Sequence, residues 1–306
     1  MNWSKMRSAA LGDRPQSPIP PEVKLPVLPG ALTEFIRKAE DPHVSPAALA
    51  AVIETDAGLT LDLLKHINSS ACGVRQKVAS VQQAMSLLGI PGTKLHLSTT
   101  AVRHALNARQ SKLIHFRTFW GTNLERALFA RHVAELLGAD ADLAFAGGML
   151  QDFLLPVLTS EMLNFYVRFV DAQDRKPTDL HLFERKRLGW DHGQAAAHVM
   201  FAWGFPDDLI CCVLHHHRGL EILDDPALAQ TAAAATAIAG LMPDPFRQAP
   251  GGLEELMRLE AAWPAFDLPA IAREVQRQFQ EMSPGGPAGR ISLLRRCENA
   301  LLGKEA

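Results

Sequence analysis

His215, His216 and His217 form the densest group of potential metal ligands in the chain. Neutral imidazole binds transition metals through either ring nitrogen, so the run raises a metal site as the first hypothesis. Adjacent residues on an α-helix point about 100° apart, however, and three in a row do not all face one centre. Near a helix C-terminus, histidines also cap carbonyls and interact favourably with the dipole. The expectation is one histidine packed inward, another facing water, and adventitious rather than dedicated metal binding. His192 and His198 lie six residues apart, off any common helical face. Asp152, on an apolar helical stretch, is expected to bond a neighbouring backbone group or His192 rather than a metal.

Other chemistry has less support. Cys72 lies beside Gly73 and near Arg75, a setting that raises the question of a reactive thiol, but an inert or merely exposed thiol is the simpler reading. Arg185-Lys186-Arg187 reads as a solvated helix face. His66 is expected to pack or hydrogen-bond near a junction between two halves of the chain. Neither a Gly-rich phosphate loop nor a Gly-x-Ser-x-Gly elbow is present.

These residues must be positioned by a chain of 306 residues, 47% apolar and 21% charged, which is ordinary for a globular protein. A net charge of -2 argues against nucleic acid as a partner. Residues 1–14 lack a signal-peptide core, and no apolar run is read as long enough to span a bilayer. The four cysteines form no Cys-x-x-Cys pair, which predicts free thiols in a reducing, cytoplasmic compartment.

Hydrophobic periodicity is helical almost throughout, and strand alternation is absent, so the expected class is all-α. Pro15, Pro18, Pro20 and Pro21 suggest a flexible leader over 1–24. Leu28, Leu32, Phe35 and Ile36 make an apolar stripe. Ser45-Pro46 opens a second helix, and Leu59, Leu63 and Ile67 mark a third that ends at Asn68-Ser69-Ser70. Ser80 and Gln83 form a capping box, and Gly89 followed by Pro91 closes its helix. One long helix is predicted from about Trp120 to Leu137, ending at Gly138. Another covers Leu143 to Leu158, with Pro156 as a kink. Asp191 caps a helix running to Trp203, and Pro206 starts one that ends in the histidine run. An Ala-rich helix near 231–241 and two amphipathic segments follow, separated by a breaker at Ser283-Pro284-Gly285-Gly286-Pro287.

Several segments, taken in order, are similar to those of the HDOD family, bacterial signalling domains related to the HD phosphohydrolases. Leu25-Pro26-Val27-Leu28-Pro29 resembles that family's opening. Ile53-Glu54-Thr55-Asp56 and the segment from Leu59 to Ser69 continue it, followed by the helix Val81 to Gly89. Phe119-Trp120, Leu188-Gly189-Trp190-Asp191-His192, Trp203-Gly204-Phe205-Pro206 and His215-His216-His217 complete the set. The resemblance covers about Lys24 to Gly219. It implies an N-terminal helical half over 25–112 packed on a degenerate HD-like half over 113–243, with a helical extension over 244–306.

In HD phosphohydrolases a metal held by His, His-Asp and a later Asp activates water. The resemblance puts those four positions at Thr122, Gln151, Asp152 and Thr236, so one ligand type survives and no metal cofactor is expected. The implied function is a non-catalytic signalling module that binds a protein partner or a small ligand in the old pocket. Asp152, His192, His215 and His216 are the candidate pocket residues. A nucleotide or cyclic-dinucleotide link and self-association are further expectations, with no membrane partner. The alternatives are a metal-dependent phosphohydrolase or phosphodiesterase, and a nucleotide-binding sensor without turnover.

Overall fold

The computed structural model describes residues 1–13, 17–69, 72–106, 111–283 and 291–301, with side chains through 299. Among them there is no strand, and the protein is all-α. Helix α1 spans Trp3–Leu11. Helices α2 (Gly30–Lys38), α3 (Pro46–Glu54), α4 (Ala57–Ile67) and α5 (Val81–Leu106) follow. Next come α6 (Phe116–Leu137), α7 (Ala141–Leu150), α8 (Leu155–Glu161) and α9 (Leu163–Gln173). Then α10 (Leu180–Leu188), α11 (His192–Ala202) and α12 (Asp207–Leu214) lead into a 3-10 segment at His216–Asp224. Helices α13 (Ala232–Gly240), α14 (Gly252–Ala262), α15 (Leu268–Met282) and α16 (Leu293–Leu301) complete the order.

The chain divides into two compact units. One comprises Leu25–Ala108 with Met200–Pro206, and the other Met1–Lys24, Arg109–Val199 and Asp207–Ala306. The first is a cluster of α2 to α5 with a core of Leu32, Phe35, Ile36, Leu49, Ile53, Leu59 and Leu63. Ser45 accepts from Ala48 N–H at 3.1 Å and Asp56 from Leu59 N–H at 3.0 Å, which starts α3 and α4. Asn68 ends α4, while Ser70 lies outside the described residues. His66 stacks on His96 with centroids 3.9 Å apart. Ser80 caps the next helix, but Gly89 (φ 70, ψ 167) breaks the span 81–106 into two helices, with Pro91 in the first turn of the second. The residues 244–306, expected as an extension, belong to the same compact unit as 109–199.

Four further expectations change in the larger unit. The leader contains α1, because its prolines begin only at 15 and leave 3–11 free to coil; Pro15 itself lies outside the described residues. Arg7 anchors that helix to Asp207 at 2.9 Å, a pairing 200 residues apart that local patterning does not show. The helix expected over 143–158 stops at Leu150 and restarts at Leu155. Pro156 has no N–H to offer the Asp152 carbonyl, and Leu155 N–H takes it at 2.9 Å in a tight turn. The stretch Ala141–Glu161 is long and apolar enough to cross a membrane, contrary to the expectation, yet 89% of that window is buried within the fold. Finally, the helix from Pro206 ends at Leu214, so the histidines stand where α geometry gives way to 3-10. Ser283 caps α15, and 284–287 of the expected breaker lie outside the described residues.

Small residues let the helices beneath the site approach closely. A Cβ added at Gly148 on α7 would sit 2.8 Å from the Ala127 Cα of α6. One at Gly240 on α13 would meet the His216 carbonyl oxygen at 2.6 Å. Helix α6 runs to Gly138 in the left-handed conformation (φ 66, ψ 27), as its sequence predicts. Gly148→Ala is expected to lower unfolding free energy by about 1–3 kcal/mol through overpacking. Gly30→Ala, where an added Cβ meets nothing within 4 Å, should leave the urea midpoint unchanged or raise it.

Candidate functional site

The turn that interrupts the apolar stretch after α7 delivers Asp152 into the interior, where it is 1% exposed. Such a carboxylate needs several donors to remain charged. Arg126 of α6 supplies the first, its Nη1 making a short ion pair with Oδ2. The same guanidinium donates through Nη2 to the Met242 carbonyl at 3.0 Å and to Asp244 Oδ2 at 3.1 Å. Gln248 Nε2 donates to Asp152 Oδ2 at 3.1 Å. One buried cation thus ties α6, the turn after α7 and the segment after α13 together.

The other oxygen, Oδ1, faces two histidines: His192 Nε2 at 3.2 Å and His216 Nε2 at 3.3 Å. His192 Nδ1 meets Glu184 Oε2 of α10 at 2.7 Å, and Tyr166 of α9 donates to Glu184 Oε1 at 2.7 Å. His216 Nδ1 lies 2.6 Å from the Val213 carbonyl oxygen, which makes Nδ1 the donor in that bond. His217 Nε2 is 2.8 Å from His192 Nε2, a contact that needs one proton between them.

Electrostatics assigns that proton. Burial alone would lower the His192 pKa, but the charges of Glu184 and Asp152 and their hydrogen bonds raise it to about 10. Burial pushes His217 well below the ordinary histidine range, with neighbouring His216, His192 and His181 adding to it. His192 is then an imidazolium that donates to Glu184 and toward both His217 and Asp152. Burial would raise the Asp152 carboxyl, yet Arg126 and the bonds from His192 and His216 hold it well below the usual carboxylate range.

The residues singled out from sequence fall in different places. Asp152, His192 and His216 come together. His215 does not: it stands at the end of α12, where burial lowers its pKa to about 4 and the nearby charges are Arg218 and Asp225. His217 takes the place expected of it. The argument that successive histidines cannot share a centre holds for an α-helix, and the backbone leaves that geometry here. Gln151 is buried beside Asp152, its Nε2 3.5 Å from Oδ2. Thr122 donates to the Thr118 carbonyl at 3.1 Å and Thr236 to that of Ala232 at 2.9 Å. Thr236 packs toward Gly147, where an added Cβ would meet its Oγ1 at 2.5 Å. Arg126, Glu184, Asp244 and Gln248 went unread. Only Arg126 carried a local signal: it lies four residues after Thr122, on the same helical face.

Two metal positions can be tested against these residues. At the position implied by the HD framework, Thr122 and Thr236 spend their hydroxyl protons on their own helices, Gln151 is an amide, and a guanidinium occupies Asp152. That set does not fit a catalytic transition metal. On the Oδ1 side, one ring nitrogen each of His192, His216 and His217 lies within 4.8 Å of the others. Glu184 and the Val213 carbonyl hold the remote nitrogens of two of them, as outer partners hold metal-ligating imidazoles. This set fits a cation that competes with the His192 proton.

The proton on His192 has a defined pH signature. Its folded pKa of about 10 lies above the ordinary 6.5, so its contribution is complete below about pH 6.5 and is lost as pH rises through about 10. Asp152 contributes in the opposite window, above the ordinary carboxylate pKa, and is lost on acidification. His192→Gln should flatten the fall of the urea midpoint between pH 7 and 10. Parallel slopes for variant and wild type would remove His192 as the titrating group.

The HDOD domain matches this chain over residues 25–219. Among solved structures, an HDOD domain protein of unknown function from Geobacter sulfurreducens is 18% identical, covering 85% of this chain and 94% of its own, with a TM-score of 0.59. A protein from Shewanella amazonensis SB2B, provisionally named a phosphohydrolase, is 20% identical over 84% of this chain and 93% of its own, with a TM-score of 0.62. A provisionally named signal transduction protein from Marinobacter aquaeolei VT8 is 20% identical over 98% of this chain and 64% of its own, with a TM-score of 0.53. At these identities the likeness is one of fold. An uncharacterized protein of Treponema pallidum (strain Nichols) is 23% identical over 84% of this chain, which spans about half (50%) of that curated relative's length. With the match extending from Leu25 to Gly219 and the fold repeated in these structures, the chain belongs to the HDOD domain family.

Proposed function

We propose that this chain is a non-catalytic signalling module of the cytoplasm, whose pocket is kept from metal-dependent hydrolysis by its own arginine. The observation that carries the reading is the Arg126 guanidinium seated on Asp152 and Asp244. A tethered cation neutralises the carboxylate but has no open coordination position at which to activate water. It can bias packing instead, because it joins three segments that would have to move together. A ligand or a protein partner that favours one arrangement of those segments shifts the population toward it. The signal transduction name of the Marinobacter relative supports this reading. The partner would be a signalling protein or a second copy of the chain. Four free cysteines, with burial pushing the Cys211 thiol up to about 12, suit a reducing compartment.

A second reading, a metal-dependent phosphohydrolase or phosphodiesterase, is favoured by one observation: the convergence of His192, His216 and His217 beside Asp152. The phosphohydrolase name of the Shewanella relative points the same way. Elemental mass spectrometry of untagged protein, with a phosphodiester turnover assay in added manganese, separates the two. The module should hold less than about a tenth of an equivalent of Fe, Mn, Zn or Ni and turn nothing over. Stoichiometric metal with turnover would establish the enzyme.

The arginine makes a further commitment. Arg126→Met leaves Asp152 and Asp244 buried without their cation and should cost about 3–5 kcal/mol of stability. Adding Asp152→Asn should recover part of that loss in a double-mutant cycle; strictly additive effects would show that the ion pair does not organise the site.

A further inference from the structure

Between α13 and α14 the chain makes a loop, Asp244 to Gln248, that touches the buried network at both ends. Asp244 Oδ2 accepts from Arg126 Nη2 at 3.1 Å, and Gln248 Nε2 donates to Asp152 Oδ2 at 3.1 Å. At the far end, the Phe246 ring tilts against those of Tyr166 and Phe169, with centroids 6.3 and 5.5 Å away. Asp244, Pro245, Phe246 and Gln248 also line a cavity of about 170 Å³, together with Phe119 and Arg126 of α6 and Leu155 of α8.

One carboxylate folds this loop. Asp244 Oδ1 accepts from Phe246 N–H at 2.8 Å, Oδ2 from Gln248 N–H at 3.1 Å, and the main-chain oxygen from Arg247 N–H at 3.0 Å. Oδ2 therefore serves both Gln248 and Arg126, so the fold of the loop and the seating of the guanidinium depend on the same atom. From outside, Gln173 Nε2 donates to the Arg247 carbonyl at 3.0 Å, and Leu180 N–H to that of Gln248 at 2.9 Å. The closed loop has a conformational cost. Arg247 has φ 55, and among the described residues it is the only non-glycine residue with a positive φ. A Cβ disfavours that region by roughly tenfold. The Arg247 side chain does not offset it: its pair with Asp174 at 3.3 Å joins two groups more than half exposed, a contact worth little. Such strain persists where surrounding bonds over-determine it, and it collects in segments with a second, relaxed arrangement.

We propose that the Asp244–Gln248 loop is a strained latch over the pocket. When Arg247 relaxes to a negative φ, Gln248 leaves Asp152, Asp244 releases Arg126, and the cavity loses the side that the loop supplies. The pair of Arg126 with Asp152 stays, because α6 and the turn after α7 carry it, so the opening is local. The inference rests on the population-shift reading of the pocket and names the segment that shifts. An occupant that packs on Pro245 and Phe246 favours the closed arrangement, and a partner that takes up the loop favours the open one.

Hydrogen exchange of the full chain, followed by NMR, tests the latch with two substitutions at one position. Arg247→Asn supplies a residue that tolerates the left-handed region, and Arg247→Val one that does not. Both delete the Asp174 pair, so that contact drops out of their comparison. Protection of the Phe246, Gln248 and Leu180 amides should fall together by at least about tenfold from the Asn to the Val variant. Exchange of the Arg126 side-chain N–H protons should quicken by the same factor, while Leu128 and Val133 of α6 keep their protection. Arg247→Asn alone should raise the protection of the three amides several-fold over wild type, an arm that stands if the Val variant does not fold. Equal loop protection in the two variants, loop amides that exchange only when α6 does, or an unmoved Arg126 would overturn the proposal. Turnover and metal content do not enter these readouts, so failure here is distinct from failure of the non-catalytic reading.

Discussion

The larger unit depends on one buried ion pair, Arg126 with Asp152. Burying either charge alone is prohibitive, so each exists in the interior only because the other does. Everything near them can be read as completing that pair. Asp244 and the Met242 carbonyl accept from Arg126 Nη2, Gln248 and His192 bond the carboxylate oxygens, and Glu184 holds His192 in place. The close approach of α6 and α7 at Gly148 brings arginine and aspartate within reach of each other. A chain without that glycine would separate the two helices that carry the pair.

A buried carboxylate does not need a metal ion for its counter-charge if a side chain can bring a positive charge of its own. Arginine does so with a planar fork that matches a carboxylate and still reaches two other acceptors. Around the pair, His216 Nε2, Gln151 Oε1, Arg126 Nε and the amide oxygens of Asn123 and Gln248 have no hydrogen-bond partner among the described residues.

Much of the fold was legible in the sequence because helix signals are local. The Ser45-Pro46 start, the Ser80 cap and the Gly138 stop each depend on residues within one turn, and each appears where its chemistry predicts. The site was less legible because its contacts are not local. Arg126 lies 26 residues from Asp152 and 118 from Asp244, and a lone arginine on a helix ordinarily reads as a solvated face. His217 was missed for another reason: the angular rule applied to it presupposes an α-helix, and a 3-10 segment begins at His216. The break after Leu150 was displaced in the reading because proline disturbs the residues before it, not only its own position.

Tyr166 stands at one end of the hydrogen-bonded chain that runs through Glu184, His192 and Asp152 to Arg126, and it is the single tyrosine among the 306 residues. Burial first, and then the Glu184 charge, raise its phenol well above the ordinary 10. Ionising it would set a phenolate against a carboxylate in an interior that admits neither alone. Phenolate absorbance in an alkaline titration therefore has no local event to report. It appears only when the chain of bonds gives way as a whole, which makes this one residue an optical gauge of cooperativity.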